Sequence, residues 1–156
     1  MPGSTCSTED ACQFPDQNPL WAERVTAIQG IPTDAPIVER VRGLLKQWNA
    51  TTVLVSEDSN HNYDIVLGNA RAYAPFVSVG SYLLIQDTKL TRFQKARSCV
   101  KAASVVEEDA CWAKTKLSPG DSVHTFLEEN NDFEIDRALE YLIYTQHAEG
   151  FLKRVR

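Results

Sequence analysis

The stretch Val53–Thr88, VLVSEDSNHNYDIVLGNARAYAPFVSVGSYLLIQDT, decides the fold of this 156-residue chain. Short apolar runs at 53–55 and 83–85 are bounded by polar residues, which is typical of strands buried on both faces. Between them apolar residues recur at helical spacing, and Pro75 and Gly80 supply a helix break and a turn. The stretch therefore predicts a βαβ unit, in which two parallel strands are joined by a right-handed crossover.

Acidic and amide side chains follow both predicted strands. Asp58, Asn60 and His61 follow the first strand, and Gln86 and Asp87 follow the second. Because ligands of open α/β sheets bind outside the carboxyl ends of the strands, we expect Asp58 and Asp87 to face one crevice. Two carboxylates with an amide oxygen suit a hard cation, so the pattern predicts a magnesium site. The alternative is that both acids cap helices or face water.

Composition and charge exclude several classes of protein. The chain is 43% hydrophobic and 24% charged, which is ordinary for a globular protein, and its length suits one domain. A net charge of -5 without a long basic run argues against nucleic acid as the main partner. No stretch approaches the ~20 apolar residues of a membrane span, and the first residues lack the apolar core of a signal peptide. We therefore expect a cytoplasmic protein.

The four cysteines, at positions 6, 12, 99 and 111, match no common zinc or redox spacing. In a cytoplasmic chain the reduced thiol is the expected state. A disulfide between Cys6 and Cys12, or between Cys99 and Cys111, is the alternative.

The residues before the central unit predict a leader and a βα unit. Residues 1–20 predict a disordered or poorly packed leader, and one domain is expected over 21–156. The segment Arg24–Gly30 predicts a short strand. A helix capped at residues 33–34 follows, with a proline in its first turn and a periodic apolar stripe that ends near Asn49.

The residues after the central unit are less regular. Residues 89–117 predict an amphipathic helical segment, basic in its first half and then acidic, which is typical of a solvated face. A partner or phosphate-binding role of the basic half is the alternative. A turn at 118–121 begins a short helix, and Phe133–Arg137 alternates as a strand. Apolar segments at 142–145 and 150–155 predict a final strand or hairpin.

Several motifs occur in a fixed order along the chain. They are EDSNH at 57–61, YAPFVSVGSY at 73–82, QDT at 86–88, SVHTFL at 122–127, NDFEIDR at 131–137 and GFLKR at 150–154. Together they resemble the cephalosporin hydroxylase and rhamnosyl O-methyltransferase family over roughly residues 22–156. The resemblance implies an α/β, Rossmann-like methyltransferase fold, a three-layer sandwich with a mostly parallel sheet. Residues 92–116 do not match and imply a divergent insertion.

The resemblance also implies an activity and a set of site residues. Members of the family transfer a methyl group from S-adenosylmethionine to a hydroxyl of a small molecule, with sugars favoured by association. The positions that match the family's magnesium ligands are Asp58, Gln86 and Asp87. His61 also matches a motif position, as a polar contact or as the base that takes the hydroxyl proton. Gln86 replaces a glutamate and Asn60 an aspartate, so each change should weaken metal binding.

The other histidines and His61 have less specific interpretations. His124 and His147 match no motif residue, and we expect them on the surface. For His61 the alternative to a catalytic role is a loop histidine that interacts with Asp64 or the start of the helix.

The chain departs from the family before Arg24, where it has neither an apolar strand nor a glycine-rich loop for the cofactor. The resemblance therefore implies that the first two strands are missing and that Val53–Asp58 has an open edge, which invites a second copy or a partner chain. Three interpretations are open. They are a truncated methyltransferase, a non-catalytic binding or assembly protein, and a hydroxylase, for which no set of two histidines and one carboxylate is evident.

Overall fold

The computed structural model of the chain describes residues 20–91, 111, 118–140 and 145–156. The chain divides into two compact units, residues 1–31 and 32–156. The predicted leader, the basic and acidic segment, the divergent insertion and the apolar segment at 142–145 fall wholly or mainly outside the described residues.

The described part of the first unit contains one short helix, α1 (Trp21–Arg24). The strand predicted at Arg24–Gly30 is wrong, because residues 25–29 are assigned to neither strand nor helix. The alternation of Val25 and Ala27 indicated an extended backbone, but a strand also requires a hydrogen-bonded neighbour. The sequence pattern contained no information about that neighbour.

The second unit is built from helices and a small sheet. Its described elements are α2 (Ala35–Gln47), β1 (Val55–Glu57), α3 (Tyr63–Tyr73), a 3-10 turn (Ala74–Phe76), β2 (Tyr82–Ile85), α4 (Pro119–Glu129), β3 (Phe133–Ile135), a second 3-10 turn (Arg137–Glu140) and β4 (Phe151–Arg154). The order of strands in the sheet is β1-β2-β4-β3. α2 confirms the helix that was predicted to end near Asn49, and β4 confirms the predicted final strand.

The central unit forms as predicted, but the sheet as a whole does not. β1 and β2 are parallel, with Val55 opposite Leu83, and α3 connects them. β4 lies between β2 and β3 and runs antiparallel to both. The sheet is therefore mixed, and the predicted mostly parallel sheet is wrong. Alternation of side chains identifies a strand but contains no information about its direction, which the pairing of β4 decides.

A single hydrophobic core lies between one face of the sheet and helices α3 and α4. Its buried members are Val66, Leu67, Ala70, Ala74, Val77, Leu83, Ile85, Val123, Phe126, Phe133 and Leu152. Side-chain contacts join the helices, since the Tyr63 hydroxyl donates to Thr125 Oγ1 at 3.0 Å, Ser122 Oγ donates to the Tyr63 carbonyl at 2.9 Å, and Arg71 forms a bidentate pair with Glu129. The apolar stripe of α2 contributes no fully buried residue. The three-layer arrangement stays a prediction.

Side-chain caps define the residues at which α3 and α4 begin. The Asn62 side chain accepts a hydrogen bond from the Asp64 N–H at 3.0 Å and so caps α3. Ser118 caps α4, and Pro119 occupies its first turn. The cap at Asn62 ends the loop after β1, and His61 is the residue before this cap.

Two further expectations concern cysteine chemistry and membrane insertion. Cys111 is disulfide-bonded, so the predicted reduced thiol is wrong for this cysteine, whose partner lies outside the described residues. The sequence spacing could not decide between the thiol and disulfide alternatives, because pairing depends on which cysteines the fold brings together. Among the helices that the structure describes, none has the length and apolar character needed to cross a bilayer.

One hydrogen bond on the sheet leads to a pH-dependent prediction. The Tyr82 hydroxyl donates to Asp136 Oδ2 at 2.7 Å, which lowers the pKa of Asp136 and raises the pKa of Tyr82. Because the pKa of Asp136 is lower in the folded chain, its contribution to stability is present above about pH 3.9 and is lost as the pH falls through the folded value.

We therefore expect Tyr82→Phe to raise the pKa of Asp136 toward its ordinary value. The hydrogen bond from the Ala138 backbone N–H to Asp136 Oδ1 persists in this variant, so the return should be partial. The measurement is an NMR titration of the side-chain carboxyl carbon of Asp136. An unchanged pKa would show that the Tyr82 hydroxyl does not act on this carboxylate.

Candidate functional site

The candidate site lies where the parallel strands β1 and β2 end. Glu57 is paired with Ile85 at the last position of the ladder, and the Gln86 N–H donates to the Glu57 carbonyl at 2.9 Å. Asp58 follows β1 directly and Asp87 lies two residues after β2. The two carboxylates therefore emerge at the same edge of the sheet, as the sequence predicted from the strand ends.

Three predicted side chains meet at this edge. His61 Nε2 lies 3.0 Å from Asp87 Oδ2 and 3.8 Å from Asp58 Oδ1. One ligand atom from each residue lies within 4.8 Å of the other two. The Asp58 side chain is 56% exposed and the Asp87 side chain 30%, so the cluster is open to solvent. The capping residue of α3 is Asn62 and not His61, so the structure assigns no capping role to His61.

Two features fix the position of Asp87, a left-handed backbone conformation and a hydrogen bond to a second histidine. Its φ of 53° is left-handed, a conformation that aspartate and asparagine tolerate better than most residues. Its N–H donates to His147 Nδ1 at 3.0 Å. The His147 ring contacts the Phe151 ring edge-on, with ring centroids 6.1 Å apart. His147 is half-buried, whereas a surface position was expected because this residue matches no motif. His124 is 60% exposed and pairs with Glu149, in agreement with that prediction.

The other two polar residues of the strand ends have different surroundings. Gln86 Nε2 donates to Ser56 Oγ at 2.8 Å, which leaves the Gln86 amide oxygen as its group for a ligand. Asn60 is exposed, and its backbone carbonyl accepts a hydrogen bond from the Asn62 N–H. The role of Gln86 as a third metal ligand stays a prediction.

The two carboxylates of the cluster suit magnesium in ligand type. Carboxylate oxygens are preferred ligands of this ion, which binds them at about 2.1 Å and keeps several water molecules. The exposure of Asp58 leaves room for these waters. A non-haem iron site of two histidines and one carboxylate is not formed, because within the described ranges the cluster contains one histidine.

A buried polar network lies behind Asp58, and the sequence patterns did not identify it as part of the site. Asn69 Nδ2 donates to Glu57 Oε1 at 3.0 Å and to Ser59 Oγ at 3.1 Å, and Ser59 Oγ donates to Glu57 Oε1. The alternation of β1 places Glu57 on the core-facing side with Val55, which is the signal that could have revealed it.

Comparison with protein families relates the chain to a known family. A protein-family model described as rhamnosyl O-methyltransferase/CmcI matches residues 9–155. No curated protein and no solved structure matches the chain significantly. The match covers nearly the whole chain, including β1, β2 and the loops that contribute Asp58, His61 and Asp87.

Proposed function

The chain belongs to the rhamnosyl O-methyltransferase/CmcI family, and from this premise we propose that it transfers a methyl group from S-adenosylmethionine to a hydroxyl of a small molecule. The family suggests an O-methyltransferase and implies the use of S-adenosylmethionine. The observation that carries the proposal is the convergence of Asp58, His61 and Asp87 at the ends of two parallel strands. These three residues also lie in the two sequence motifs, EDSNH and QDT, that resemble the metal-site motifs of the family.

We assign the two aspartates to the binding of a divalent cation. Asp58 and Asp87 approach from neighbouring strands, so the sheet sets the distance between their carboxylates. The left-handed backbone of Asp87 and its N–H contact with His147 fix the position from which this side chain projects. When bound there, magnesium would supply Lewis-acid chemistry by lowering the pKa of a substrate hydroxyl.

His61 is the group best placed to take the proton of that hydroxyl. His61 Nε2 lies 3.0 Å from Asp87 Oδ2 and 3.8 Å from Asp58 Oδ1, so a proton on this nitrogen would be donated toward Asp87. Asp87 therefore orients the imidazole toward the crevice as well as contributing a carboxylate. The partial exposure of His61 allows the proton to pass on to solvent after methyl transfer.

A non-catalytic role as a binding or assembly protein is the second candidate, and one observation favours it. β1 lies at an edge of the described sheet, and Leu54, immediately before it, is 57% exposed. An open strand edge can pair with a second copy or a partner chain. In this case the strand ends would keep the cation cluster without cofactor binding.

Titration calorimetry with S-adenosylmethionine, with and without magnesium, tests the proposed activity. Methyl transfer by this chain requires saturable binding at micromolar strength through residues other than a glycine-rich loop before Arg24, and incubation with methyl-labelled cofactor and candidate sugars should then yield a labelled product. Methionine alone is the control for non-specific binding. Absence of cofactor binding by a chain shown to be folded by circular dichroism would contradict methyl transfer by this chain. The same result with retained magnesium binding would favour the second candidate.

A further inference from the structure

A cavity of about 280 Å³ opens beside β1 and α3, next to the cation cluster. Its apolar wall includes Pro32, Val55 and Tyr73, and its polar wall includes Glu57 and Asn69. The proposed methyl transfer uses neither Glu57 nor Asn69. The volume is sufficient for a small organic molecule rather than for a single water.

Glu57 is a buried carboxylate without a cationic partner among the residues that the structure describes. Its residue exposure is 6%, and its side chain accepts hydrogen bonds from two neutral groups, Asn69 Nδ2 and Ser59 Oγ. None of the ion pairs within the described part of the chain involves Glu57. A buried charge normally requires a countercharge, because hydrogen bonds replace only part of its lost hydration.

Asn69 provides independent evidence that something is missing from this wall. Asn69 is 5% exposed, and its carboxamide oxygen is buried without a hydrogen-bond partner in the described part of the chain. The opposite orientation of the amide would turn this oxygen toward Glu57 Oε1, so the contacts of Nδ2 fix the oxygen as the free group. A buried acceptor of this kind costs about 1–3 kcal/mol when it stays unpaired. Binding of a group with a hydrogen-bond donor would therefore satisfy this oxygen.

The groups on the rim add acceptors and negative charge to this polar wall. The Tyr73 hydroxyl already donates to the Pro32 carbonyl at 2.7 Å, and burial raises the pKa of Tyr73, so it does not add a free donor. Asp58 also lines the cavity and contributes a second carboxylate. The cavity thus combines carboxylates and an unpaired amide oxygen with an apolar wall.

We propose that this cavity binds a primary ammonium group on a short apolar stem, with the N–H donors on Glu57 and the Asn69 amide oxygen and the stem against Val55 and Tyr73. An ammonium supplies the countercharge of Glu57 and the donor of Asn69 together. The proposal does not depend on methyl transfer, since it requires neither S-adenosylmethionine nor a metal.

NMR titration of the unaltered, isotope-labelled chain with n-butylammonium tests this inference. We expect saturable shifts of the Asn69 side-chain amide and of the Glu57 and Ser59 backbone amides. Tetramethylammonium, a cation without N–H donors, should bind at least tenfold more weakly. Equal binding of the two cations would overturn the proposal by showing attraction without donor recognition, and so would the absence of saturable shifts.

A pair of matched variants locates the binding. Glu57→Gln should weaken n-butylammonium binding at least tenfold, because it removes the charge and keeps the shape. Asp64→Asn removes one charge from an exposed position on α3, outside the cavity, and should leave the affinity unchanged. Equal losses in both variants would overturn the proposal. If Glu57→Gln does not fold, the comparison of the two cations on the unaltered chain still decides the question.

Discussion

Replacement of Asp87 by asparagine should weaken the binding of a divalent cation by about 100-fold or more. Loss of a group that only supports a metal ligand typically costs 10–100-fold in affinity, and loss of a charged ligand should cost at least the upper end of that range. Asparagine is the informative substitute because it tolerates the left-handed φ of 53° at this position. The N–H contact with His147 can therefore persist, and the change is confined to the charge.

Manganese, observed by water-proton relaxation, is a suitable probe in place of magnesium. Asp58→Asn should cause a loss of similar size, since Asp58 is the other carboxylate of the cluster. Asp64→Asn is the matched control, because it removes the same charge from an exposed position away from the strand ends. If Asp87→Asn and Asp64→Asn bind manganese as tightly as the unaltered chain, the carboxylates at the strand ends do not form the cation site.

Replacement of Phe126 by alanine should lower the free energy of unfolding by about 3–5 kcal/mol, the usual range for a buried phenylalanine. Phe126 is 2% exposed and projects from α4 into the core below the sheet. Its ring meets Phe133 of β3 edge-on, with centroids 5.5 Å apart. The substitution removes both the buried apolar surface and this ring contact, and neighbouring side chains can fill only part of the resulting space.

Urea denaturation followed by circular dichroism measures this loss. A domain of this size typically has only about 5–15 kcal/mol of stability, so the variant should be close to unfolding at 37 °C. Leu54→Ala is the control, because Leu54 is 57% exposed and should change stability by no more than about 0.5 kcal/mol. A loss below about 1 kcal/mol for Phe126→Ala would mean that α4 does not pack on the sheet as described.

The proximity of Asp58 and Asp87 was predictable because both residues follow from the local pattern of one continuous segment. Two apolar runs with a helix between them dictate parallel neighbours, and parallel neighbours bring the residues after their last positions together. The proximity of Asp58 and Asp87 is therefore a consequence of the βαβ unit. The resemblance to the family added His61, which the structure places 3.0 Å from Asp87.

Other features of the site were not predictable, because they depend on residues distant in the sequence. His147 lies 60 positions after Asp87, and no motif connects the two. The network of Glu57 and Asn69 requires β1 and α3 to pack at a particular distance, which periodicity does not specify. A glutamate at the end of an apolar run is usually a surface residue. The alternation of β1 places Glu57 on the same side as Val55, but the extent of its burial depends on the packing of α3 on the strand.

By itself the sequence determined the βαβ unit, the helices α2 and α4, and the polar residues that follow the first two strands, because each depends on local periodicity or on turn and cap residues. Only the tertiary structure decided the antiparallel course of β4, the absence of a strand at residues 25–29 and the disulfide at Cys111. These features depend on which distant segments pair. Side-chain patterns record which face of a strand is buried but not which neighbour completes its hydrogen bonds.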